Sequence, residues 1–115
     1  MITIDDFIKI ELKVGTVLEA EEIIESEKLI KMQVDLGEDP STSSGRDIRQ
    51  ILAGIKKWYT PAKLIGKQFI FVANLEPRMI RGYESQGMIF AMSSVDGKFS
   101  LISPDEDMPV GTKAR

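Results

Sequence analysis

Apolar residues occupy every second position from Ile8 to Val14, with lysine or glutamate between them. A period of two turns one face of a strand to a core and the other to water, so this segment is predicted to be a half-buried β-strand. Gly15 interrupts the alternation, and the phase is uncertain at Val17 and Leu18. We therefore expect a bulge or bend there, which would let a long strand turn the corner of a barrel.

A short helix is predicted before this strand. Thr3 is followed three residues later by Asp6, which is a loose form of the capping box. Ile4, Phe7 and Ile8 would share one face of the helix.

Five further segments have the composition of short strands. They are residues 30–36, 48–55, 68–75 ("QFIFVANL"), 87–92 ("GMIFAM") and 99–103 ("FSLIS"). The last two are joined by "VDGK", which predicts a two-residue Asp-Gly hairpin turn. Between the third and fourth strands, Thr60 can cap a short helix that has Pro61 at its first position. The pattern predicts an all-β fold, a five-stranded OB-type barrel with a short helix between strands 3 and 4 and a short N-terminal helix.

The composition limits the function. The chain has 115 residues, 43% of them apolar, so we expect one domain over residues 1–115. It contains neither histidine nor cysteine, which removes the commonest general base, the thiol nucleophile and the preferred zinc ligands. We therefore expect no enzyme, no metal and no cofactor. The first residues have no basic or long apolar segment, and no run of apolar residues could span a bilayer, so we expect a cytoplasmic protein without a membrane association.

Charge is distributed unevenly along the chain, whose net charge is −3. Residues 1–45 carry four basic and eleven acidic side chains, whereas residues 46–83 carry eight basic and two acidic ones. Such a basic segment within an acidic protein favours phosphate contacts on one face. A solvated surface with no ligand is an equally good explanation of the charge alone.

Several segments together resemble a known family. They are "DDFIKIELKVGTVLEAEEI", "EKLIKMQVDLG", "ILAGIKKWYTPAKLIGKQFIFVANLEPRMIRGYESQGMIFA" and "PVGTK". This sequence is similar to the tRNA-binding domain found at the C-terminus of many methionyl-tRNA synthetases, in stand-alone tRNA-binding proteins and in CsaA-like export chaperones. The resemblance covers nearly the whole chain. It departs from the family at Glu76, where a basic or neutral residue is more usual, and in the longer loop at residues 38–47.

The resemblance implies a domain that grips the outer corner of tRNA without reading the anticodon, either alone or as an accessory subunit of methionyl-tRNA synthetase. It also leaves open a CsaA-like chaperone that binds unfolded or export-bound polypeptide. The residues that would line the RNA-facing groove are Asn74, Arg78, Arg81, Ser85, Gln86 and Met88. Further phosphate contacts are expected from Lys13, Lys28, Lys31, Lys56 and Lys57.

The chemistry of these residue types suits RNA. Arginine offers a planar fork to phosphates, amides and hydroxyls can bond 2′-hydroxyls or base edges, and methionine gives an apolar surface to a base. Structural roles fit some of them equally well. Asn74, Ser85 and Gln86 could fix the loop instead, and Met88 could belong to the core. Trp58 and Tyr59 could form a stacking platform or plug the end of the barrel.

A homodimer is also expected, formed through the N-terminal helix and the C-terminal segment. The face formed by Ile4, Phe7 and Ile8, and the segment "FSLISPDEDMPVGTK", carry more apolar surface than a small barrel needs. A second copy would cover it in a two-fold interface. The alternative is that the helix and the tail pack on their own barrel.

Overall fold

The computed structural model describes residues 1–115 and contains two short helices and ten strands. The helices are α1 (Ile4–Phe7) and α2 (Pro61–Leu64). The strands are β1 (Leu12–Glu22), β2 (Ile30–Glu38), β3 (Arg46–Ala53), β4 (Gln68–Val72), β5 (Arg78–Ile80), β6 (Tyr83–Ser85), β7 (Met88–Ile89), β8 (Ala91–Ser93), β9 (Phe99–Leu101) and β10 (Lys113–Ala114).

One curled antiparallel sheet organises the chain, with the strand order β3-β2-β1-β4-β7. The short β10 pairs with the first residues of β1, and two small hairpins, β5–β6 and β8–β9, lie outside the sheet. Helix α2 lies between β3 and β4 in the chain, and α1 precedes β1. The predicted all-β, OB-like barrel is confirmed.

Strand β1 has 11 residues and contains an irregularity partway along. Its pairing with β2 shifts register between Val17 and Glu19, which confirms the predicted irregularity after Gly15. Gly15 itself faces the interior. A Cβ placed there would lie 2.7 Å from Leu36 and 2.8 Å from both Phe71 and Val34, so only glycine lets the three side chains fill this part of the core.

Two hydrophobic clusters stabilise the fold. The larger lies inside the curled sheet and includes Phe71, Met32 and Leu64, the last contributed by α2. The smaller cluster contains Ile23, Leu29 and Leu52, and packs against Ile80 and Tyr83 of the β5–β6 hairpin. The smaller cluster therefore fixes this hairpin beside β3.

The structure corrects the predicted start of the first strand. Strand β1 begins at Leu12, not at Ile8, because Ile8 is still part of the C-terminal turn of α1, where its N–H donates to the carbonyl of Ile4. The alternating residues before Leu12 therefore do not form a ladder. The predicted capping box at Thr3 and Asp6 is present, with each side chain bonding the other residue's backbone.

The predicted two-residue turn at "VDGK" is also corrected. Ser93 pairs with Phe99, and the Ser94 N–H donates to the Lys98 carbonyl at 2.9 Å, so three residues, 95–97, form the connection. The Ser94 hydroxyl accepts from the Lys98 N–H, and Gly97 supplies the positive φ of 89° that the longer turn requires.

Candidate nucleic-acid interface

The β5–β6 hairpin has one face on the core and one face exposed. Its inner residues, Ile80 and Tyr83, pack on the smaller cluster, while Arg78 and Arg81 are exposed. Neither arginine forms an ion pair within the chain. The hairpin thus presents two free guanidinium groups on a support that the core holds in place.

The end of the β5–β6 hairpin and the residue after it bond to the free edge of β3 through side chains and one backbone hydrogen bond. The buried Ser85 hydroxyl accepts a hydrogen bond from the Leu52 N–H and donates one to the Gly87 carbonyl, both at 3.0 Å. The Gln86 side-chain oxygen accepts from the Gln50 N–H at 3.1 Å, and the Gln86 N–H donates to the Gln50 carbonyl at 2.8 Å. We call this junction of Ser85 and Gln86 with β3 the seam.

Asn74 joins the end of β4 to the chain before β1. Its side-chain oxygen accepts from the Glu11 N–H at 2.8 Å, and its side-chain nitrogen donates to the Lys9 carbonyl at 2.5 Å. Nearby, the Arg49 guanidinium donates to the carbonyls of Ala73 and Gln86. The side-chain polar atoms of Asn74 and Ser85 and the side-chain oxygen of Gln86 are thus engaged within the chain, and they set the shape of the surface that carries the two arginines.

Arg78 and Met88 line a cleft of about 220 Å³, together with Leu75 and Glu76. Met88 is 44% exposed and lies at the surface of this cleft, outside both hydrophobic clusters. We call this space the Met88 cleft. It combines an arginine, a carboxylate and several apolar side chains, so it can contact both a backbone phosphate and an apolar group.

Arg81 lies at the tip of the hairpin in a backbone conformation that arginine rarely adopts. Its φ is 54°, and Gly82, which follows, has a φ of 85°. Positive φ at both central residues, between the paired Ile80 and Tyr83, is the pattern of a type I′ turn, in which asparagine is usual at the first position. The hairpin therefore holds Arg81 at its tip at a conformational cost.

Two lysines lie near Ser26, a residue that shares a cleft with Arg81: Lys28 is in the turn between β1 and β2, and Lys56 follows β3. Arg81 lines a second cleft together with Glu25 and Ser26. The Lys56 ammonium donates to the Ser26 carbonyl at 3.0 Å, and the Lys28 N–H donates to the Ser26 hydroxyl. Lys28 and Lys56 thus lie on the same side of the molecule as Arg81.

The other candidate lysines are arranged differently. Lys31 forms an ion pair with Glu21 at 2.7 Å and lies 5.0 Å from the centre of the Tyr83 ring, beside the hairpin. The hydrogen bond that the Lys31 ammonium donates to the Glu21 carboxylate raises the pKa of Lys31 above its usual value. Lys13 pairs with Glu11 at 3.2 Å, at the opposite end of β1.

Lys57 points away from Lys56 and lies 5.4 Å from the centre of the Trp58 ring. Trp58 and Tyr59 also differ from each other. Tyr59 packs against the larger cluster and its hydroxyl accepts from the Leu101 N–H, whereas Trp58 is 38% exposed. The structure therefore gathers Arg78, Met88, Arg81, Lys28, Lys31 and Lys56 on the hairpin side and leaves Lys13 and Lys57 elsewhere.

The sequence did not predict the roles of two residues. Arg49 donates hydrogen bonds to a carbonyl at the end of β4 and to one in the seam, and Tyr83 contacts the Lys31 ammonium with its ring. The only signal for Tyr83 is its aromatic side chain between polar neighbours. For Arg49 there is no local signal, because its partners are 24 and 37 residues away.

A curled OB-like sheet with a hairpin of free arginines beside one strand defines a small β-barrel binding domain. The sequence matches the profile of the family described as "Putative tRNA binding domain" over residues 12–113, and the chain belongs to this family. The matched domain is a binding domain and is not itself catalytic. Neither helix has the length or the apolar run that crossing a bilayer requires.

The relatives include synthetases and smaller proteins. A methionine–tRNA ligase of Methanococcus aeolicus is 49% identical over 112 residues, which are 97% of this chain and 15% of that protein. The chain thus spans about one sixth of the length of the curated relatives it matches. Among solved structures, the MetRS related protein from Pyrococcus horikoshii has a TM-score of 0.87 and 40% identity, covering 100% of this chain and 98% of that one. The chaperone CsaA from Bacillus anthracis has a TM-score of 0.82 and 31% identity, covering 100% and 99%.

Proposed function

We propose that this chain binds tRNA and recognises its folded shape, with the β5–β6 hairpin as the main contact. The main support for this proposal is that Arg78 and Arg81 are exposed on a hairpin that packs on the smaller cluster, and that neither forms an ion pair in the chain. An arginine without an internal partner loses no ion pair when it meets a phosphate, so both are suited to bind the RNA backbone.

Phosphate contacts position a nucleic acid but carry little sequence information. Arg78, Arg81, Lys28 and Lys56 would therefore follow the path of the backbone at the outer corner of tRNA, and no anticodon readout is needed. Lys31 would add charge beside them, Lys57 would add charge beside Trp58, and Lys13 would reach RNA only from the far end of β1. Asn74 and Ser85 would act through the shape of the surface, since their side-chain polar atoms already have partners, and Gln86 would do so through its side-chain oxygen, which is bonded to β3.

The domain would act in the cytoplasm, alone or as an accessory to a methionyl-tRNA synthetase catalytic chain. This part of the proposal is supported by the synthetases among the relatives and by the P. horikoshii protein, which this chain matches over almost its whole length.

Two copies of the chain would form a homodimer through α1 and the C-terminal segment. Ile4 and Ile8 are 71% and 65% exposed, so the apolar face of α1 does not pack on its own barrel. Phe7 and Leu12 line a cleft with residues 113–115, which brings the two ends of the chain together in one surface of apolar and charged side chains. Sedimentation tests this interface. Ile4→Glu should give folded monomers, and a monomeric unmutated protein at micromolar concentration would refute the dimer.

A polypeptide ligand is the second candidate function. The exposed Leu75 and Met88 line the Met88 cleft with Arg78, and an apolar peptide could occupy this cleft. The similarity to structures described as CsaA chaperones supports this alternative. Salt separates the two ligands, because RNA affinity falls steeply with salt and apolar peptide affinity does not.

A gel-shift assay with total tRNA and with single-stranded RNA of equal length tests the proposal. Tighter binding of tRNA, with a linear fall of log affinity against log salt, is expected. Arg78→Ala should lower that slope by about one unit and leave the ranking of different tRNAs unchanged. Lys67→Ala is the matched control, because Lys67 is an exposed cation beside α2 and outside the hairpin face. Equal binding of both RNAs, or the same slope for Arg78→Ala and unmutated protein, would contradict the proposal.

A further inference from the structure

Trp58 and Phe99 form an aromatic stack on a surface separate from the β5–β6 hairpin. The two ring centres are 4.3 Å apart and the planes are tilted by only 14°. Trp58 lines a shallow cleft of about 560 Å³ with Met92, Lys98 and Phe99. Trp58 is 38% exposed and Met92 is 57% exposed, so this cleft presents a patch of apolar surface, and such a patch can mark a binding site.

The stack is held rigidly. Phe99 packs against the larger cluster, and the Tyr59 ring meets it edge-on at 6.2 Å. The Tyr59 hydroxyl accepts from the Leu101 N–H at 3.1 Å, and the Trp58 backbone N–H donates to the Ile55 carbonyl at 3.0 Å. The Trp58 backbone and the Phe99 ring on which the indole stacks are thus positioned before a ligand arrives, which lowers the conformational entropy lost on binding.

The charges around the stack favour an anionic ligand. Lys57 lies over the indole, Lys98 lines the cleft, and neither lysine forms an ion pair in the chain. No carboxylate lines the cleft. Asp96, the one acidic residue of the β8–β9 hairpin, is engaged with the Ser94 hydroxyl. An aromatic face flanked by free cations matches a nucleotide, which has a flat base and a phosphate on each side.

The stack also adjoins the main site. The Lys56 ammonium reaches the Ser26 carbonyl in the cleft of Arg81, and the Cα atoms of Lys56 and Trp58, two residues apart in the chain, are separated by at most about 7 Å. An RNA strand that leaves the Arg81 cleft along Lys56 would therefore arrive at Trp58.

We propose that the Trp58–Phe99 stack is a second RNA contact, which receives one unpaired base of the bound RNA on the indole. Lys57 swings from the ring to a flanking phosphate as the base stacks, and Lys98 holds the other phosphate. This inference rests on the proposed function. It adds that the domain recognises an unpaired nucleotide of the RNA as well as the path of the RNA backbone.

Fluorescence gives a direct test, because Trp58 is the only tryptophan in the chain. The full chain is titrated with total tRNA, with the trinucleotide ApApA and with an abasic trinucleotide that keeps the phosphates. Stacking should quench the indole emission with tRNA and ApApA but not with the abasic compound. If tRNA binds without quenching, or if the abasic compound quenches equally, the proposed stacking on Trp58 is wrong, and the proposed function is left intact. If tRNA does not bind the unmutated chain at all, the proposed function fails and the platform fails with it.

Substitutions of Trp58 provide a second test of the proposal. Trp58→Leu should weaken tRNA binding about 5- to 150-fold with an unchanged salt slope, since it removes a stacking surface and no charge. Trp58→Phe should restore much of the affinity. Urea unfolding and sedimentation of both variants show whether the fold and the oligomeric state persist. The proposal is wrong if Trp58→Leu binds tRNA as tightly as the unmutated chain, or if the substitution changes only the oligomeric state. It is also wrong if an apolar peptide changes the Trp58 emission while ApApA does not.

Discussion

Arg81→Asn should stabilise the domain and weaken its binding to RNA at the same time. Arg81 has a φ of 54° in the first central position of a type I′ turn. The left-handed conformation costs an ordinary residue roughly 1–2 kcal/mol, whereas asparagine adopts it readily and is favoured before glycine in this turn. The Arg81 side chain makes no hydrogen bond or ion pair in the chain that the substitution would remove.

The free energy of unfolding should therefore rise by about 0.5–1 kcal/mol, seen as a higher urea midpoint and a Tm increase of about 2–5 °C. Binding should respond in the opposite direction. Loss of one phosphate contact lowers the slope of log affinity against log salt by about one unit, which corresponds to about tenfold weaker binding near 0.1 M salt.

Arg81→Lys is the matched control, because it keeps the charge and the strained backbone. It should change the free energy of unfolding little and retain most of the affinity. If Arg81→Asn lowers the urea midpoint, the turn is not strained as described. If it leaves the salt slope unchanged, Arg81 is not a phosphate contact.

Three further predictions concern the seam, the Met88 cleft and the core. Ser85→Ala leaves the buried Leu52 N–H and Gly87 carbonyl without a partner and should cost about 1–3 kcal/mol in urea unfolding; an unchanged midpoint would show that water replaces the hydroxyl. Met88→Ala should weaken RNA binding while costing well under the ~2–5 kcal/mol typical of a buried methionine, and a loss of that size would assign Met88 to the core. Gly15→Ala should cost about 1–3 kcal/mol by overpacking against Phe71, which differential scanning calorimetry would report as a lower Tm.

The sequence predicted the strands most accurately where burial alternates along the segment itself. Residues 30–36 alternate strictly, and β2 has the matching alternation of buried and half-buried positions. The bend of β1 was predictable because Gly15 and the loss of phase mark it. The start of β1 was not, since Ile8 and Ile10 continue the alternation but lie exposed in the structure, where no ladder includes them.

For the candidate site, the sequence indicated the segment but not the part played by each residue in it. Arg78 and Arg81 are exposed, as a contact role requires. The partners of Ser85 and Gln86 lie 33 and 36 residues earlier in the chain, in β3, and no local pattern shows that a hydroxyl and an amide will close the edge of that strand. The same chemistry that suits these side chains to RNA also suits them to a backbone N–H.

The seam affects how an alanine scan of this domain should be interpreted. A scan scored only by RNA binding would rank Ser85 and Arg78 together, although one is 3% exposed and the other extends into solvent. The two kinds of defect respond differently to a stabilising osmolyte. Trimethylamine N-oxide favours the compact state and should rescue a variant that fails because part of the population is unfolded. It cannot restore a missing guanidinium, so rescue by an osmolyte would sort the supporting residues from the binding residues without any bound structure.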